Sequence, residues 1–314
     1  MSAPAAWPQR SLAAPSARVR GVGLHSGRVI SLRLLPAPPD SGVSIDYAAA
    51  GKRARIAVSS ANVVDTLLAT TVAADGCQVA TIEHLLAALC ICGVDNAVIE
   101  IDGPEVPIMD GSAQPFILLI RNTGMAAQDA EKRFVRVTRE IAVQHPDDPE
   151  RRACLQPAAA ASWDVTIDFA DPVISRSSQR LALAFDASAA VAAAVAAART
   201  FGFVQDVDFL RKHDRGLGGS LDNALVLDGH RLLNRHGLRQ DNEFVAHKLL
   251  DAIGDCYVEG KLLIASYQAS MPGHNLNHLL MLELLARPDA WEEVPASAAA
   301  RDCQLPDFGP LGCA

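Results

Sequence analysis

Four acidic or imidazole side chains recur at every fourth position late in the chain: Glu243, His247, Asp251 and Asp255. On a helix that spacing lines them up along one stripe. Val245, Leu249, Ala252, Ile253 and Cys256 fall on the opposite side. Such a stripe is commonly the solvated face of an amphipathic helix. Solvated stripes usually mix Lys, Glu and Gln, whereas this one holds His and acids with only Lys248 beside it. His247 and Asp251, one turn apart, can also bring both heads to a single point beside the helix, as two metal ligands do. Spacing by itself leaves both readings open.

A third ligand is offered by Thr81-Ile82-Glu83-His84. His84 can bind a metal, and Glu83 can act as a base toward water activated there. The other reading is a first-turn acid that complements the helix dipole next to a partly buried His. Two His and one Asp, without thiolate, would make a catalytic type of zinc site with a position open for water. In Gly273-His274-Asn275, a loop His can enter a cleft and exchange protons near neutral pH, or can simply be exposed. Thr200, in Arg199-Thr200-Phe201-Gly202-Phe203, stands either at a site or at a helix end before core aromatics. Gly21-Val22-Gly23-Leu24-His25-Ser26-Gly27 lacks the third Gly of a dinucleotide loop, and Gly216-Leu217-Gly218-Gly219-Ser220 lacks the Gly-Lys-Ser/Thr of a phosphate loop. Both read as tight turns where backbone passes close to something.

The elements that must carry these residues are partly legible. Ile82, Leu85, Leu86 and Leu89 have helical spacing, with Thr81 as N-cap and Gly93 as the stop. A second long helix spans Asn242 to about Tyr257. Val19 onward, Val29–Leu35, Asn96–Ile101, Phe134–Val143 and Trp163–Phe169 read as strands, with a turn at Gly21-Val22-Gly23. Pro115–Ile120 and the alanine run Ala187–Ala198 read as helices. Strands and helices interleave in both halves, so the class is mixed, α/β or α+β. The polar stretch Asn122–Lys132 marks a domain boundary, residues 1–17 read as a poorly ordered start, and the tail after Ala286 is weakly patterned. No internal sequence repeat is evident.

The 314 residues suit two domains, and half of them are apolar, enough for a core in each. A net charge of -8 argues against a general nucleic-acid binder, without excluding an anionic substrate held by a local Arg/Lys cluster. The seven cysteines (77, 90, 92, 154, 256, 303 and 313) contain no C-x-x-C pair, which disfavours a disulfide framework or thiolate zinc site and favours a reducing compartment. No signal peptide and no membrane span are apparent.

Taken in order, several segments closely resemble the UDP-3-O-acyl-N-acetylglucosamine deacetylases of lipid A biosynthesis. They are GVGLHSG (21–27), TIEHLLAAL (81–89), VDNAVIEIDGPEVPIMDGSAQPF (94–116), TIDF (166–169), ARTFGF (198–203), GLGGSLDNALV (216–226), EFVAHKLLDAIGD (243–255) and GHNLNHLL (273–280). The resemblance implies an α+β sandwich of two similar domains, each a β-sheet on two helices, with the active site between them. The corresponding divisions here are 1–125, 133–290 with a βαβ insert, and a tail 291–314. It implies Zn2+ held by His84, His247 and Asp251, with Glu83 as general base. His274 matches the family's catalytic His, and Asp255 the acid that orients it. Lys248 and Thr200 match groups near the substrate carbonyl, Phe201 an aromatic near the sugar and nucleotide, and Arg151 a phosphate contact. An apolar passage for the acyl chain would fall around residues 203–230. Ala69 stands where some members carry a Cys near the metal. The activity implied is hydrolysis of an N-acetyl group from an acylated UDP-amino sugar. The enzyme would be a cytoplasmic monomer with no nucleic-acid partner and no stable membrane insertion. A zinc amidohydrolase for another N-acylated sugar would need no apolar passage. A binding module that kept only the fold would have lost Glu83 or His274.

Overall fold

The computed structural model describes residues 7–187 and 189–309, and the fold is α+β. The α-helices among those residues are α1 (Glu83–Cys92), α2 (Gln114–Thr123), α3 (Pro172–Ser175), α4 (Ala189–Val195), α5 (Val207–Lys212), α6 (Glu243–Cys256), α7 (His274–Ala286) and α8 (Ala296–Ala299).

The first large sheet runs, in spatial order, Val19–Val22, Val29–Pro36, Ala97–Ile101, Val43–Ala49 and Lys52–Ala57. Along Val29–Pro36, Ile30, Leu32 and Leu34 are fully buried while their neighbours face outward. This is the period-2 alternation of a sheet with one wet face. The second sheet runs Ile141–His145, Asp148–Gln156, Ser266–Ser270, Ser162–Thr166 and Arg180–Ala184. Each central strand is the last in sequence. It pairs parallel with the third strand, Ile45 opposite Ile99 in one half and Val165 opposite Ala269 in the other. The remaining pairings are antiparallel in both.

The two halves therefore repeat one topology: four strands, a long helix, the central strand, a second helix. Each also inserts a three-stranded sub-sheet ahead of its long helix. In the first it is Val63–Asp65, Thr71–Ala74 and Cys77–Val79; in the second it is Phe201–Phe203, Leu225–Asp228 and Arg231–Leu232. A shared topology leaves no visible sequence repeat because burial demands only apolar alternation, which many residue sets satisfy. On this repeat we propose 1–125 and 133–290 as the two domains.

Helices α2, α1, α6 and α7 pack in series, and α6 and α7 lie on the second sheet. Glycine sets the closest approaches between the halves. A Cβ on Gly254 would lie 2.0 Å from the Glu83 carbonyl oxygen, so α6 crosses α1 with backbone against backbone. Gly218 sits equally tight against the Gly23 carbonyl, and Gly218 N donates to Leu24 O at 3.0 Å. The two glycine-rich turns thus pass close to one another. Gly254→Ala is expected to overpack this crossing and destabilise the fold by about 1–3 kcal/mol. A denaturant midpoint equal to that of the unsubstituted protein would show that the helices do not meet there.

Several local expectations change. Pro8–Leu12, expected to be disordered, is a strand paired with Met125–Glu131, which occupies the polar stretch read as a linker. Edge strands tolerate such polar composition because one side faces water. Phe134–Val143 is two strands, Arg133–Val137 and Ile141–His145, in different sheets. In the tail, Trp291–Pro295 pairs antiparallel with Arg133–Val137. Gly21 and Val22 belong to a strand, and the turn follows, closed by Gly27 N to Gly23 O at 3.0 Å. Residues 1–6, Ser188 in the alanine run, and 310–314 with Cys313 lie outside the described residues.

Candidate active site

The stripe on α6 is not solvated. Every α6 residue except Lys248 is buried, because α1 and α7 cover the face that spacing left open. His84, the second residue of α1, meets His247 and Asp251 there. Both imidazole Nε2 atoms lie 3.4 Å from Asp251 Oδ1, and the rings stand edge to face at 4.9 Å. His247 Nδ1 donates to the Ala198 carbonyl at 3.0 Å, which leaves the lone pair on Nε2. Burial, outweighing the attraction of Asp251, pushes the His247 pKa down to about 3, so the ring is neutral. Burial alone would raise Asp251, but its carboxyl is held well below the usual range, with the Lys248 ammonium as the charge beside it.

Asp251 Oδ2 accepts from Lys248 Nζ at 3.0 Å, whereas Oδ1 is buried without a hydrogen-bond partner. An orphaned carboxylate oxygen facing an imidazole lone pair is unfavourable unless a cation lies among them. Three ligand atoms within 4.8 Å of one another make a fitting place for one. Two imidazoles and a carboxylate form a donor set that suits a catalytic metal.

A second cluster adjoins the first: Glu83, Asp255 and His274. His274 was expected in a loop but is the first residue of α7, behind an extended Gly273. Its Nδ1 lies 3.0 Å from Asp255 Oδ2. Asp255 also accepts from Asn277 Nδ2 at 2.8 Å and from Thr70 Oγ1 at 2.6 Å, and Tyr267 OH donates to Asn277 Oδ1 at 2.7 Å. Thr70 N meanwhile donates to Glu83 Oε2 at 3.0 Å, so one residue ties both carboxylates. Burial would lower His274, but the Asp255 and Glu83 carboxylates override it and raise the pKa to about 9. Burial raises Glu83, against the pull of His274 and His84.

Thr70, Asn277 and Tyr267 escaped sequence reasoning. Asn277 shares a face with His274 at i+3 and could have been found by spacing. Thr70 acts partly through its amide, which leaves no mark in the sequence.

Around the two clusters, Lys248 Nζ stands 5.6 Å over the Phe201 ring, itself 6.3 Å from the His247 ring. Thr200 N donates to Gly111 O at 2.8 Å, placing Thr200 two residues from the carbonyl that holds His247. Glu243, at the head of the stripe, faces no metal ligand: its carboxylate binds Arg199 N, Nε and Nη2 and Arg239 N. Arg151 Nε donates to Met271 O at 3.3 Å, just ahead of His274. Thr81 does not cap α1. Its backbone is left-handed, Ile82 takes the cap position, and the Thr81 hydroxyl turns instead to Glu105.

Residues 9–286 match the family model of UDP-3-O-acyl N-acetylglycosamine deacetylase (LpxC). Proteins named UDP-3-O-acyl-N-acetylglucosamine deacetylase are similar over nearly the whole length. That of Hahella chejuensis is 46% identical over 277 residues, covering 88% of this chain and 90% of the relative. Those of Pseudomonas entomophila and Saccharophagus degradans are 44% and 45% identical, with the same coverage. Since the matched span takes in both halves and every residue of the two clusters, the chain belongs to the UDP-3-O-acyl N-acetylglycosamine deacetylase family.

Proposed function

We propose that this protein is a zinc-dependent deacetylase that removes the N-acetyl group of UDP-3-O-acyl-N-acetylglucosamine, releasing acetate in the committed step of lipid A biosynthesis. The observation that carries the reading is the orphaned Asp251 Oδ1 facing His84 and His247, with a base and an acid beside it. His84, His247 and Asp251 would hold the zinc, which when bound polarises the amide carbonyl and lowers the pKa of water.

Glu83 takes the proton from the water as it attacks the amide carbon. Thr70 N keeps its carboxylate aimed while Oε1 remains for that proton. His274 gives a proton to the departing nitrogen, which is needed because an amine is a poor leaving group. Asp255 orients His274 and favours its imidazolium. Lys248 and Thr200 assist the developing oxyanion. Phe201 offers a face to the sugar, and Arg151 a charge to the diphosphate.

The acyl chain is assigned to the insert. Its βαβ unit runs Phe201–Phe203, α5 and Leu225–Asp228 with the two strands parallel, and it leaves Val204, Phe209, Leu217 and Leu221 exposed. Apolar side chains presented to water are readily explained by an apolar ligand. We assign the enzyme to the cytoplasm, which accords with the free thiols of the described cysteines. Among the described residues no helix is long and apolar enough to cross a membrane. Both clusters are complete within one chain, so a monomer suffices.

The test is metal analysis with an acetate-release assay. One zinc per chain is expected, with Asp251→Ala losing it, and turnover of the UDP sugar should fall when the 3-O-acyl chain is absent. Burying four methylenes at about 0.8 kcal/mol each would make that fall roughly two orders of magnitude in kcat/KM. Metal-free protein with full activity, or equal turnover of both sugars, would overturn the assignment.

A further inference from the structure

Glu105 is buried and carries no part of the chemistry above. Its carboxylate nevertheless accepts three hydrogen bonds: from His25 N at 2.9 Å, from Ser26 N at 2.9 Å and from Thr81 Oγ1 at 3.0 Å. A Cβ on Gly23 would lie 2.4 Å from Glu105 Oε2, so the glycine lets the 23–27 turn close over the carboxylate. On the other side Ala80 N donates to Pro104 O and Val106 N to Ala80 O, both at 2.9 Å, so the chain entering α1 runs alongside Glu105.

Thr81 has φ 59°, a left-handed backbone that a β-branched residue adopts only when its surroundings impose it. It stands two residues before Glu83 and three before His84. Its conformation therefore sets the direction in which α1 begins, and with it where the base and the first metal ligand point. Among the described residues, the hydrogen-bond partner of the Thr81 hydroxyl is Glu105.

We infer that Glu105 is a positioning residue: by holding Thr81 in its left-handed conformation, it aims Glu83 and His84 at the metal centre. The inference rests on the roles proposed above for those two residues. Leucine in its place is of similar size but accepts no hydrogen bond, so the Thr81 hydroxyl loses its partner together with the two turn amides. The conformation at Thr81 is then held less firmly. Glycine at that position adopts positive φ without strain and needs no hydroxyl anchor.

The experiment measures zinc affinity by chelator competition for purified E105L and E105L/T81G, with melting temperature, kcat and KM measured in parallel. E105L is expected to weaken zinc binding by about 10–100-fold, the range for lost outer-sphere support, and to lower kcat more than it raises KM. Adding T81G should restore most of the zinc affinity and kcat. A Glu105 that merely stabilised the fold would lower the melting temperature of both variants without this rescue. Unchanged zinc affinity in E105L, or no recovery in the double variant, overturns the inference. If E105L fails to fold, Thr81→Val decides, since it keeps the contacts of Glu105 to the 23–27 turn: wild-type zinc affinity in that variant refutes the idea. Failure of the unsubstituted protein to bind zinc would instead refute the proposed function.

Discussion

Glu83→Gln is expected to lower turnover by about 10²–10⁴-fold, the usual contribution of a positioned general base, while the metal stays bound. Glutamine has nearly the same shape and can still accept from Thr70 N, so the site should keep its form. What it lacks is the ability to take a proton from water. Stability should move the other way. Burial raises the Glu83 pKa in the folded state, so the native protein holds that proton more tightly than the unfolded chain. Such a group destabilises the fold increasingly as pH rises from the unfolded value through the folded one. A neutral amide removes that penalty, and at neutral pH the variant should melt no lower than the parent. This is the common pattern of a site shaped for chemistry at the expense of stability. Metal content, acetate release and melting temperature on one preparation suffice. Loss of metal would make Glu83 a ligand, and near-normal turnover would reduce it to a helix-terminal acid.

What could be read from the residues follows what helical and strand geometry encode. His247 and Asp251 were legible as a pair because a four-residue spacing maps onto one face whatever the surroundings. Whether that face was wet or buried was not legible, because the answer depends on α1 and α7, which spacing does not locate. Residue type offered His84 as a third ligand, with a helix-terminal reading left open beside it, and family resemblance decided between the two. In the fold its joining to the pair depends on a backbone crossing at Gly254, a contact between residues far apart in sequence. The two glycine-rich segments were legible as close turns, but not that each is the other's neighbour. Pro8–Leu12 and Trp291–Pro295 were missed because short edge strands need little apolar patterning. Thr81 was misread as a cap because its residue type fits that role. Its left-handed φ is imposed by tertiary contacts to Glu105.

His274→Ala is expected to lower turnover by about 10²–10⁴-fold and to remove the alkaline fall of the rate profile, with the metal retained. In the parent enzyme the rate should rise with pH as Glu83 ionises, on a limb lying above the ordinary carboxylate range because burial raises it. It should fall as His274 loses its proton, on a limb set by a pKa raised to about 9 despite burial, through the Asp255 and Glu83 carboxylates. A bound divalent cation adds positive charge beside both groups and draws both limbs to lower pH. The clusters share carboxylates, so the apparent values belong to the assembly rather than to single residues. Asp255→Asn separates the limbs. It removes the anion that most favours the imidazolium but leaves His274 in place, so the alkaline limb should move to lower pH while the acidic limb changes less. The new amide can turn its oxygen to Asn277 Nδ2 and His274 Nδ1, which share one carboxylate oxygen in the parent, and its NH2 to the Thr70 hydroxyl, which can accept as well as donate, so the structural disturbance is limited. An alkaline limb unmoved in Asp255→Asn would detach Asp255 from proton delivery. A His274→Ala profile matching the parent, at near-normal rate, would assign that proton to another group, and Lys248, bonded to Asp251, stands near enough to be tested next.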